Sequence, residues 1–144
     1  MKVTRRYRFA ASHRLHSDAL TVEENRELYG KCNNPYGHGH DYVMEVTVSG
    51  PLNCETGLVV QIPLLDKLVS EEVVQQFDHR YFNVNVSEFA ELVPTSENII
   101  RVIEGRLHAR WTDVFPGAAP RLHTIRLQET KRNRFELSES EKTK

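Results

Sequence analysis

The sequence has little cysteine: two residues, Cys32 and Cys54, in 144. That is too few for a disulfide framework, and a reducing compartment leaves both free. It lacks an excess of either charge, with 19 Lys and Arg against 20 Asp and Glu and a formal net charge of −1. No overall basic bias therefore draws it to nucleic acid or to an anionic membrane. A nucleic-acid reading would rest on Arg5, Arg6 and Arg8 alone. The sequence also lacks an apolar run long enough to span a bilayer. The charges in the first eight residues are not followed by an apolar signal region. The expectation is a cytoplasmic protein with neither nucleic-acid nor membrane partners. With no internal repeat or linker, one domain is expected over residues 1–137, and the polar stretch 138–144 reads as a flexible C-terminal tail.

What the sequence does have is alternation. Val3, Tyr7, Phe9, Ala11 and His13 share one parity, interrupted by Arg5, and read as one face of a strand. Met44, Val46 and Val48 repeat the pattern over 38–48, and His38 and His40 extend their face. Residues 21–29 predict a short helix capped by Thr21. Ser49–Gly57 reads as a turn region and Leu58–Ile62 as a short strand. Pro63 suits a first helical position, with Leu64, Leu65, Leu68, Val69, Val73 and Phe77 at helical spacing after it. A second helix is capped by Thr95 or Ser96 and carries Ile99, Ile103, Leu107 and Trp111 four residues apart, with Arg106 and Arg110 toward its negative end. His123, Ile125, Leu127 and Glu129 alternate in a further strand, and Phe135–Leu137 adds a final short one. The order predicts an α+β domain, an antiparallel β-sheet with two helices on one face.

The chemistry concentrates in Lys31-Cys-Asn-Asn-Pro-Tyr-Gly-His-Gly-His40. A His-x-His pair on a strand points both imidazoles the same way, so both can reach one ion. A catalytic zinc usually has three protein ligands, and His13, on the matching face of the first strand, is the third candidate. Asp41 has the wrong parity. The plain alternative is two histidines in a Gly-rich turn. Cys32 is a candidate metal ligand, nucleophile or general base. Five residues separate it from His38, so it can sit across the pocket from the metal. Cys54, in a turn, reads as an inert buried side chain. Asp78-His79 can orient an imidazole for proton transfer if the chain turns there; otherwise it is a solvated loop. Glu129 faces the core and needs a partner, for which two adjacent N–H donors of a pterin or guanine are well matched. Thr95, Ser96 and Glu97 at a helix start can help hold a polar ring, besides capping.

These pieces together resemble the 6-pyruvoyl-tetrahydropterin synthase family. The resemblance rests on Phe9-Ala-Ala-Ser-His-Arg-Leu15, Gly30–His40, Thr56-Gly-Leu-Val-Val60, Asp78-His79, Pro94-Thr-Ser-Glu-Asn98 and Leu127-Gln-Glu-Thr130, in order over residues 7–130. It implies the tunnelling fold, with trimers closing an oligomeric β-barrel and stacking as a homohexamer whose active sites lie between subunits. It implies Zn²⁺ on His13, His38 and His40, with Mg²⁺ a second candidate cation. Cys32 would be the general base, Asp78 and His79 its relay, and Glu129 the pterin anchor and a further proton carrier. Thr95, Ser96 and Glu97 would help bind the substrate. The implied substrate is 7,8-dihydroneopterin triphosphate and the implied product 6-pyruvoyl-tetrahydropterin. The sister 6-carboxy-tetrahydropterin synthases have a shorter gap between the cysteine and His-Gly-His, so the five residues here favour the pyruvoyl branch. A non-enzyme alternative is a zinc-stabilised pterin-binding module. Gln61, Arg80-Tyr81-Phe82 and Lys131–Arg134 depart from the family pattern without removing a chemical group.

Overall fold

The computed structural model describes residues 1–141. Strand β1 (Lys2–His13) pairs antiparallel with β2 (His38–Ser49) along its whole length, from Lys2 opposite Ser49 to His13 opposite His38. A two-residue strand, β3 (Arg80–Tyr81), runs parallel to the end of β1. Strands β4 (Arg121–Gln128) and β5 (Arg134–Ser138) complete a five-stranded sheet in the order β3-β1-β2-β4-β5. After β5, Glu139–Glu141 form a 3₁₀ turn whose Glu141 carboxylate accepts from the Ser138 amide. The rest of the stretch expected as a tail, 142–144, lies outside the described residues.

One face of this sheet is apolar. Phe9 and Ala11 from β1, Tyr42, Met44, Val46 and Val48 from β2, and Leu122, Ile125 and Leu127 from β4 are buried on it. Helix α1 (Val22–Tyr29) starts at the expected cap, where Thr21 and Glu24 bond each other's backbone N–H in a capping box. Helix α2 (Ile62–Val69) runs through one π turn (Ser70–Val74) into α3 (Gln75–Phe77). The short α4 (Phe82–Asn85) follows β3, and α5 (Ser96–Val114) is the long helix. Leu65, Leu68, Val69, Val73 and Phe77 meet Ile99, Ile103, Leu107 and Trp111 in one core cluster with the sheet. Each fully buried aliphatic side chain here contributes about 2 kcal/mol. Ile103→Ala would remove several methyl groups from a site with no exposure and cost about 3 kcal/mol.

Several expectations are corrected. Residues 58–61 form no strand, because α2 begins at Ile62, with Pro63 in its second position. Leu64 is exposed at 37%, outside the core stripe. A β-bulge between Thr47 and Val48 shifts the register, so Leu122 rather than His123 joins the core face. Arg106 and Arg110 do not serve the end of α5, which extends to Val114. Arg106 grips Glu88 through two bonds of 2.7 Å, and Arg110 reaches Glu71 and Glu72 at 2.8 Å. Arg5, the interruption in the apolar face, makes a two-pronged bond to Asp66 on α2, and Tyr7 donates to the same carboxylate. Cys54 is exposed.

Candidate active site

His13, the last residue of β1, is completely buried. Its Nδ1 lies 2.8 Å from the Pro94 carbonyl oxygen, just before α5. A carbonyl only accepts, so Nδ1 carries the proton and Nε2 keeps its lone pair. Burial lowers the His13 pKa, and burial likewise lowers that of His40, although Glu129 acts against it. Both shifts favour the neutral imidazole, the state a metal ligand needs. His13 Nε2 faces His40 Nε2 at 3.1 Å.

Cys32 comes from the 3₁₀ turn Gly30–Asn33 that follows α1. Leu15 N–H donates to the Cys32 carbonyl at 2.7 Å, and the buried Asn33 side chain donates to the Leu15 carbonyl at 2.7 Å. These bonds bind the cysteine turn to the segment just beyond His13. Gly37 returns the chain to β2 with a φ of +83°, and a Cβ there would meet the His13 carbonyl oxygen at 3.1 Å. The Cys32 sulfur ends 3.9 Å from His40 Nε2. One donor atom from each of His13, Cys32 and His40 falls within 4.8 Å of the others. Nitrogen and sulfur donors that close, two of them neutral imidazoles, fit a Zn²⁺ ion. His38 is exposed and outside that cluster, but its ring packs against His40 with centroids 4.7 Å apart.

Glu129 stands just past β4, beside His40. One carboxylate oxygen lies 3.8 Å from His40 Nε2, and the other accepts a short bond from the hydroxyl of Ser96. Ser96 is buried at the first turn of α5, Thr95 caps that helix by accepting from Asn98 N–H at 3.2 Å, and Glu97 is exposed. Among the described residues, only Ser96 of the three is hydrogen-bonded to Glu129. Burial, with the charge of Glu129 adding to it, pushes the Cys32 thiol pKa up. A thiol raised in this way needs a nearby positive charge before it works as a base at neutral pH.

Asp78 and His79 form a pair of their own beside β1. The Asp78 carboxylate accepts from Ala10 N–H at 2.9 Å, and its other oxygen lies 3.0 Å from His79 Nδ1. The turn that this pair requires is made by His79 itself, at a φ of 59°. His79 is exposed, and among the described residues neither side chain contacts Cys32.

Sequence reasoning passed over Tyr42. It lies two residues after His40 on the same strand face, so the alternation that singled out the histidines also marks it. Its ring packs on His40, and its hydroxyl is the one buried side-chain polar atom among the described residues without a partner. Burial, then the nearby Glu129 and Cys32, push its pKa up.

The model of the family described as 6-pyruvoyl tetrahydropterin synthase matches residues 2–140. The chain belongs to the 6-pyruvoyl tetrahydropterin synthase family. As a member it is an enzyme, a lyase, and its sheet and helices are those of the tunnelling fold. The 6-pyruvoyl tetrahydrobiopterin synthase of Poecilia reticulata is 42% identical over 131 residues, 91% of this chain and 85% of the relative. The synthase of that name from Homo sapiens is 47% identical over 98 residues, 68% of each chain. The solved 6-pyruvoyl tetrahydropterin synthase of Caenorhabditis elegans superposes with a TM-score of 0.85 at 35% identity, covering 96% of this chain and 94% of that one. A 6-carboxy-5,6,7,8-tetrahydropterin synthase of Rickettsia bellii is also similar, at 37% identity over 79 residues, 55% of this chain and 49% of its own. In the family's terms, Gln61, one of the departures, is the N-cap of α2 and makes no side-chain capping bond.

Proposed function

We propose that this chain is a zinc-dependent 6-pyruvoyl-tetrahydropterin synthase acting on 7,8-dihydroneopterin triphosphate. The observation that carries the reading is one row of groups: Ser96 on Glu129, Glu129 beside His40, and His40 beside His13 and Cys32. A carboxylate fixed by a serine hydroxyl is suited to the adjacent N–H donors of a pterin ring. Thr95 and Glu97 shape the rim of that ring site at the start of α5.

His13, His38 and His40 would hold the zinc, with His38 turning in from its exposed position beside His40. A zinc ion held there would supply a Lewis acid for oxygens of the substrate side chain and a positive charge beside the Cys32 thiol. Cys32, beside the ligands, then takes a proton from the substrate side chain, and acid–base steps isomerise it and expel triphosphate. The atoms of the substrate equal those of 6-pyruvoyl-tetrahydropterin plus triphosphate, so no oxidant or reductant enters. Glu129 both anchors the ring and exchanges protons with it.

Asp78 and His79 would relay protons to Cys32 of a neighbouring copy, since they do not reach the cysteine of their own chain. That role goes with a homohexamer, two stacked trimers whose sheets close a barrel and leave no open edge. A cytoplasmic location suits the free thiol. The alignment with the pyruvoyl enzyme of Poecilia reticulata is longer than that with the carboxy enzyme of Rickettsia bellii, 131 residues against 79, and supports the pyruvoyl branch. The test is product identification after incubation with the substrate. Pyruvoyl-tetrahydropterin and triphosphate support the reading; a carboxypterin with acetaldehyde assigns the chain to the sister reaction, and bound but unchanged substrate assigns it to a binding module.

A further inference from the structure

A cleft of about 380 Å³ opens beside His38. Arg14, His16, Arg26, Lys31, Asn33 and His38 line it, and no Asp or Glu does. Its three permanent cations come from three points along one segment, residues 14–31. Arg14 follows β1, Arg26 lies on α1, and Lys31 is in the turn that carries Cys32. Arg5, Arg106, Arg110 and Arg126 are each engaged by a carboxylate elsewhere in the protein. Among the described residues, the side chains of Arg26 and Lys31 have no ion pair or hydrogen bond.

Arg14 is held more firmly. Its backbone N–H and carbonyl are both bonded by the Asn83 side chain, at 2.8 and 2.9 Å. Its Nε reaches the Asn33 carbonyl at 3.3 Å, which leaves the outer guanidinium nitrogens free. Asn33 is 7% exposed and ties the wall of the cleft to Leu15 and His16. Three cations with no acid among them, on a fixed wall, form a site for a multiply charged anion rather than a solvated surface patch.

The position of the cleft identifies the anion. His38 lines it and packs edge to face against His40. The groups therefore run in order: Ser96 and Glu129, then His40 with His13 and Cys32, then His38, then the basic cleft. The substrate proposed above has the same order of parts, with its pterin ring at one end, a three-carbon side chain in the middle and a triphosphate at the other end. We propose that Arg14, Arg26 and Lys31 bind the triphosphate. The assignment rests on the proposed reaction for its choice of ligand, while the cleft itself is independent of it. The same chemistry accepts inorganic triphosphate, the released product, so triphosphate inhibits competitively.

The test uses the metal-loaded full chain and the double variant Arg26→Gln/Lys31→Gln. Both residues are exposed, so the variant keeps its fold, which circular dichroism and metal content verify. Calorimetry with inorganic triphosphate is expected to show an affinity loss of about 30-fold, as two charge-assisted contacts disappear, and a weaker dependence on salt. The KM for dihydroneopterin triphosphate rises by a similar factor. Turnover by the parent chain with Kd and KM unchanged in the variant, within about twofold, overturns the cleft and leaves the reaction standing. Triphosphate binding that depends on both residues, in a parent chain that makes no pterin product, supports the cleft and overturns the reaction.

Discussion

The Nε2 atoms of His13 and His40 face each other 3.1 Å apart, brought together from two antiparallel strands. The pairing that sets His13 opposite His38 places His40 opposite Ala11, one step diagonal to His13. Because Pro94 holds the proton on His13 Nδ1, a lone pair is left aimed into that gap, and a cation there satisfies it.

Metal content of single variants therefore separates ligands from the base. His13→Ala, His38→Ala and His40→Ala are each expected to lose most bound zinc on elemental analysis. Cys32→Ala keeps the metal and loses turnover by about 100-fold or more, as expected for a missing general base. Zinc loss in Cys32→Ala would instead make the sulfur, 3.9 Å from His40 Nε2, a ligand.

Glu129 and Ser96 act as one unit through their short bond. Glu129→Gln replaces one of the two acceptors offered to the ring with a donor. Binding of a non-reactive pterin, followed by fluorescence, should weaken by about 2 kcal/mol. Ser96→Ala should weaken it less, since the carboxylate stays. Unchanged pterin binding in Glu129→Gln would place the ring elsewhere.

Separate contributions from Cys32 and from Asp78-His79 predict complementation between copies. Cys32→Ala and His79→Ala chains are each expected to be nearly inactive alone. Assembled together in equal amounts, they should recover about one quarter of the parent activity, the chance that a site draws each group from an intact chain. No recovery would mean that the pair serves its own chain.

An acid-linked contribution to stability comes from the Glu88–Arg106 pair. Arg106 holds the Glu88 carboxyl at about 2, against an ordinary 4.5. The folded value is the lower one, so the contribution is complete above about pH 4.5 and fades as pH falls through about 2. Glu88 is 35% exposed, so solvent screening reduces the effect to about 1 kcal/mol. Denaturant titrations of the parent and Arg106→Gln should differ most above pH 5 and converge toward pH 2, taken as about those values. A gap that stays constant with pH would show that Arg106 acts through packing on Phe77, over which its guanidinium lies at 5.2 Å, rather than through charge.

Much of this arrangement was legible in residue order. The alternation of Phe9, Ala11 and His13, and of His40, Met44 and Val46, is local, and it set the histidines on one face before any pairing was known. The four-residue spacing of Ile99 to Trp111 located the buried stripe of α5 in the same way. What escaped depends on contacts distant in sequence. The partnership of β3 with β1 spans about seventy residues and involves two pairs, too short for a pattern. The bulge at Thr47 and Val48 exists only because β4 pairs there, and it changes which residues of β4 face inward. Arg5 looked like a break in the apolar face because its partner, Asp66, comes from α2. The basic cleft is lined by one connecting segment, residues 14–38, but its cations follow no regular spacing that marks them as one wall.

The most direct test is to incubate zinc-loaded protein with 7,8-dihydroneopterin triphosphate and identify the products by mass spectrometry. 6-Pyruvoyl-tetrahydropterin with stoichiometric triphosphate is the result this account predicts. A carboxypterin with acetaldehyde, or substrate recovered unchanged, would contradict it.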